Sequence, residues 1–214
     1  MMAHLADTLL LLVLLTNFSV LAASRLTFTI RLAAVQGFVL GLLPLAIHHP
    51  WTVHSFVIAI GTAAVKGVLL PSFLMWAMRH AAVRREVEPS LGPLSSITAG
   101  VVAVGLALAL SARLPLTGEA VPELLVATSF ATLMIGFIVL TTRRKAMTQV
   151  VGYLLLENGV YLFGLVLSAR VPPLVEMGVL LDLVVGVFIM GLVVFHMNRE
   201  LESLDSGRLS ELRD

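Results

Sequence analysis

The sequence predicts an all-α integral membrane protein of about seven transmembrane helices, with its N-terminus outside and its C-terminus in the cytoplasm. Three observations carry this. Of 214 residues, 58% are hydrophobic and 13% are charged, and the mean hydropathy is +1.00. A soluble domain carries about a quarter charged residues, so a soluble core built from this chain would leave no surface to face water. The apolar residues also come in long blocks, near the roughly twenty residues that cross a bilayer as a helix. Alternating apolar and polar positions, the mark of a membrane β-barrel, are absent from the sequence. This composition excludes a soluble enzyme, a nucleic-acid binder and a disordered regulator.

Taken in order, the first span covers 5–24. Only His4 and Asp7 accompany its start, without the positive region of a secretory signal, so it reads as a retained helix. The second, 27–47, follows Ser24-Arg25 and stops at His48-His49-Pro50. It carries Gln36 and the pair Gly37 and Gly41, a spacing that marks close helix contact. The third, 52–78, contains Lys66 and, five residues on, Pro71, which leaves the carbonyl of Gly67 without its helical donor. A kink there would give the lysine a hydrated niche. After the charged segment Arg79–Pro93 come spans at 93–112 and, past Arg113–Glu123, at 121–142. Thr142–Lys145 separates the latter from 148–169, and Arg170-Val171-Pro172-Pro173 precedes the last span, 173–195. Residues 196–214 form a polar tail.

The cations fix the orientation. Arg25, Arg31, Arg79, Arg84, Arg85, Arg143, Arg144, Lys145, Arg199, Arg208 and Arg213 fall on one side of this arrangement, and Arg113 and Arg170 on the other. Positive charge collects in the cytoplasm, which places the tail inside. The chain has no cysteine, hence no disulfide, no thiolate-held iron–sulfur cluster and no cysteine nucleophile. His48, His49 and His54 lack a carboxylate or cysteine to complete a metal site, and neither a metal nor a cofactor is expected. The net charge of +1 implies no polyanionic partner.

Ionisable groups inside a bilayer are costly and point to function. Measured along these spans, Gln36, Lys66, Glu157 and Asp182 all fall close to mid-membrane, whichever way each helix runs. A layer of polar groups at one depth suits lateral charge transfer. Lys66 is the midplane cation, and Glu157 or Asp182 paired with it in one state and protonated alone in another would be a bistable element. Asn158 follows Glu157, and Tyr153 and Tyr161 lie four residues to either side on the same helix face. Glu176 sits near the outer end of the seventh span. The bland counterpart is an interhelical tie with no traffic through it.

The block Gly152-Tyr153-x-x-x-Glu157-Asn158-Gly159, followed by Leu174-Val175-Glu176-x-Gly178-x-x-x-Asp182, resembles the component E family of hydrogenase-4. Ser24-Arg25-Leu26, Gln36 and Lys66 followed by Val68-Leu69-Leu70 extend the resemblance over nearly the whole chain. That family is related to the K subunit of complex I and the C subunit of Mrp-type antiporters. The resemblance implies a four-helix region over 1–120, a three-helix K-like unit over 121–195 and a cytoplasmic tail over 196–214. Asp182, four residues before Gly186, matches a membrane glutamate of K subunits. Their other membrane glutamate falls at Leu154, one turn from Glu157. The resemblance further implies a non-redox subunit of a complex I-like [NiFe] hydrogenase of the formate hydrogenlyase group, in a prokaryotic cell (inner) membrane. Its expected partners are lipid, antiporter-like and other membrane subunits and, through them, a soluble [NiFe] hydrogenase and iron–sulfur arm. Glu157, Asp182 and Lys66 are the expected proton relay, with Gln36, Asn158, Tyr153, Tyr161 and Glu176 in support. The alternatives are a subunit of an Mrp-like cation/proton antiporter and a structural scaffold.

Overall fold

The computed structural model describes residues 2–47, 53–80, 92–114, 123–168 and 191. They form α1 (Met2–Ala22), α2 (Leu26–Ile47), α3 (Val53–Thr62), a π-helical segment (Ala63–Leu69), α4 (Leu70–His80), α5 (Pro93–Ser111), α6 (Glu123–Thr142) and α7 (Ala146–Ser168). No β-strand occurs among the described residues. Since α3, the π segment and α4 run on as one rod, six helices are long and apolar enough to cross a membrane, the third being Ser55–Arg79. They match the first six expected spans to within about three residues at either end. The seventh span apart from Gly191, with Glu176 and Asp182, lies outside the described residues, as do His48, His49 and the tail.

The helix ends follow local chemistry. Pro93 opens α5, where a missing N–H costs nothing. At the end of α1, the Ala23 N–H tightens the last turn onto the Val20 carbonyl, and Arg143 donates from Nη2 to the Leu21 carbonyl at 2.9 Å. Arg143 is buried beside the negative end of the α1 dipole. Gln149 Nε2 donates to the Arg143 carbonyl at 3.0 Å. Burial holds this guanidinium below its ordinary value, although arginine stays charged even so. One of the cations on which the expected orientation rests thus also ties together the ends of α1, α6 and α7.

Glycines set the closest helix contacts of α2, α6 and α7. On α7, Cβ atoms at Gly152 and Gly159 would lie 2.6 Å from the backbone nitrogens of Leu140 and Leu133, so these two glycines seat α7 directly on α6. α2 lies between the rod α3–π–α4 on one flank and α1 and α7 on the other, and α5 packs on α6 and α1. The apolar core forms two clusters. One gathers Leu26, Ile30, Leu74, Ile135, Val139, Val151 and Leu155. The other gathers Leu10, Val13, Leu40, Leu43, Leu125, Leu162 and Leu165. Along every helix that joins both clusters, at least one buried polar side chain stands between them: Asn17 on α1, Gln36 on α2, Thr132 on α6 and Glu157 and Asn158 on α7.

Candidate functional site

The layer between the clusters is a connected set of buried side chains from five spans. Its charged centre is made by the rod and α7. Ahead of Pro71, which has no N–H to give, the helix widens into the π segment, and the Leu70 N–H donates five residues back to the Val65 carbonyl. Such wide turns recur at functional sites. The segment's backbone rests on Gly37 of α2, where any Cβ would collide with the Lys66 carbonyl carbon, and Ala63 rests likewise on Gly41. This close approach brings the lysine side chain past α2 to α7.

There the Lys66 Nζ donates to Glu157 Oε1 at 2.8 Å and to Asn158 Oδ1 at 3.3 Å. It also stands 5.5 Å above the centroid of the Tyr161 ring, whose hydroxyl accepts from Thr62 at 3.4 Å. Lys66 and Glu157 are 4% and 3% exposed, so each charge depends on the other and on its hydrogen bonds. From the pair a row of hydrogen bonds crosses the bundle. Asn158 Nδ2 donates to Gln36 Oε1 at 3.0 Å, Gln36 Nε2 to Asn17 Oδ1 at 2.9 Å, and Asn17 Nδ2 to Thr132 Oγ1 at 2.8 Å. Every member is buried. The ion pair can exchange a proton between its partners. The carboxamides cannot titrate and can only orient.

Of the residues expected to act together, Lys66, Glu157, Asn158, Gln36 and Tyr161 meet in this layer. Tyr153 does not join them in the same way: it is half-buried one turn off and packs against the Leu74 cluster. Asp182 and Glu176 lie outside the described residues. Two members, Asn17 and Thr132, carried little signal in the sequence. Asn17 is the fourteenth of the 19 residues His4–Ala22, off the centre of its span, and its reach comes from pairing with Gln36. Thr132 is one hydroxyl among several on α6, and such hydroxyls commonly bond their own helix, as Ser129 does. Among the described residues no three His, Cys, Asp or Glu side chains converge as metal ligands.

Comparison with known proteins gives three results. The model of NADH-ubiquinone/plastoquinone oxidoreductase chain 4L matches residues 124–214. An uncharacterized protein of Mycobacterium tuberculosis is 34% identical over 193 residues, covering 86% of this chain and 85% of that one. Hydrogenase-4 component E of Escherichia coli K12 is 26% identical over 165 residues, covering 76% and 72%, and that of Shigella flexneri matches to the same extent. No solved structure matches.

Proposed function

We infer the role of this chain from its family: it belongs to the hydrogenase-4 component E family, whose C-terminal part is related to chain 4L of the NADH-quinone oxidoreductases. It is a multi-pass membrane protein and a membrane subunit of a complex I-like assembly. In our reading that assembly is a membrane-bound [NiFe] hydrogenase, in which antiporter-like subunits flank this chain and a soluble arm does the redox chemistry. The chain itself contributes a step of the charge route through the membrane plane. Residues 121–195 are the K-like unit and 1–120 supply the lysine opposite it.

One observation supports this most: a lysine and a glutamate paired at 2.8 Å at mid-span, buried, and continued by polar groups between two apolar clusters. When a charge arriving in a neighbouring subunit unbalances the pair, the proton passes from Lys66 Nζ to Glu157 Oε1, both groups become neutral and the electrostatic hold between them is lost. When that charge leaves, the carboxylate re-forms and recaptures the lysine. Asp182 is the second carboxylate of this route. The closest test of the assembly is to purify the chain with its partners in mild detergent. A hydrogenase arm with antiporter-like subunits is expected. Antiporter-like subunits without that arm would instead make the chain part of a cation/proton antiporter.

A further inference from the structure

The row of carboxamides beyond the ion pair has a polarity, and one end sets it. A lysine ammonium offers only donors. Asn158 therefore turns Oδ1 toward it and keeps its NH2 for Gln36. Gln36 accepts with Oε1 and donates with Nε2 to Asn17, which leaves the Asn17 NH2 for Thr132. All three amides point oxygen toward Lys66 and nitrogen toward α6. The far end differs, because a hydroxyl accepts or donates equally well and so closes a row of either polarity. A neutral lysine amine keeps two N–H donors and gains a lone pair, so it can face a row of either polarity. With it, all three amides can turn over, since their oxygen and nitrogen nearly coincide in shape, and Thr132 becomes the donor.

We propose that Asn158, Gln36 and Asn17 are positioning residues that carry the charge state of Lys66 to Thr132, so that the contact of α1 with α6 responds to the ion pair on α7. This rests on the reading of Lys66 and Glu157 as relay partners. No proton travels along the amides. The proton passes from Lys66 Nζ to Glu157 Oε1, one N–H bond breaking as one O–H bond forms and both groups becoming neutral. Once the neutral amine turns its lone pair from Glu157 to Asn158, each amide is free to rotate by half a turn and exchange donor for acceptor. The row sits in a buried layer, so an amide left facing a like end would lose a hydrogen bond with nothing to replace it. Reversal is therefore all or none. Among the described residues, the titratable groups facing Lys66 include Glu157 and Tyr161, both from α7, while α2 faces the row with Gln36.

The sequence suits a direct test, since its asparagines are Asn17, Asn158 and Asn198 and side-chain labelling gives few signals. The full-length chain, labelled at asparagine and held in lipid nanodiscs, is compared by NMR with Lys66→Met. The Asn17 side-chain amide resonance is expected to shift, although Asn17 is two amides removed from the lysine's own acceptor. In the intact complex, Thr132→Val should slow ion translocation by about tenfold, the scale of one buried hydrogen bond, and Thr132→Ser should restore it. An unmoved Asn17 resonance, or a Thr132→Val complex that translocates at the normal rate, overturns the row. If the double variant Lys66→Met, Glu157→Gln translocates normally, the relay reading fails instead.

Discussion

Lys66 and Glu157 are each tolerable in the membrane only through the other. Taking a buried pair apart by removing one partner costs about 3–5 kcal/mol, whereas replacing both with neutral groups of similar size is close to neutral. Glu157→Gln alone should therefore lower the thermal unfolding temperature of the detergent-solubilised chain strongly. Adding Lys66→Met should recover most of the loss. Equal stability of the single and double variants would mean that the pair is not closed in the membrane. The centre of this site was legible in the sequence because depth along a span needs no tertiary knowledge: Gln36, Lys66, Glu157 and Asn158 share one level. Which carboxylate meets the lysine was not legible, because span depth says nothing about the order of helices around the bundle. Asn17 was hidden for a related reason, its part in the row depending on a partner 19 residues away on another helix.

At the level of elements, the π segment and the glycines of α2 decide where Lys66 points. Gly37→Ala would set a methyl group against the Lys66 backbone, where no flexible side chain can yield. Overpacking of this kind costs about 1–3 kcal/mol, and here it should also prise the rod from α2 and abolish translocation in a complex that still assembles. The GxxxG spacing announced this contact correctly. Pro71 announced a break in the hydrogen-bond ladder but not its form, since a missing donor can be met by a kink or by a wider turn. The structure takes the wider turn. Arg143 is the second control at this scale. Arg143→Ala removes a charged hydrogen bond from the last turn of α1 and should cost about 1–3 kcal/mol, read as a lower unfolding temperature, with translocation per assembled complex unchanged.

At the scale of the molecule, two apolar clusters among the described residues enclose one polar layer, built from Gln36, Lys66, Glu157 and Asn158 near the middle of their spans and completed by Asn17 and Thr132. The spans were readable because a helix that is apolar all round has only one stable solvent. The orientation rests on arginine placement and predicts an accessibility pattern. The chain has no native cysteine, so single replacements report cleanly. Arg113 and Arg144 are both exposed at helix ends. Arg113→Cys should react with a membrane-impermeant maleimide in intact cells, and Arg144→Cys only after the membrane is opened. The reverse pattern would invert the topology.

Whether the buried pair is a working step in charge movement or only a tie between helices is decided by ion translocation in the intact complex carrying Lys66→Met together with Glu157→Gln. The double variant keeps the packing of the layer and removes both charges. A working step requires that this complex assemble and retain its redox turnover but move no ions across sealed vesicles. Translocation at the wild-type rate would contradict it and leave the pair a structural tie.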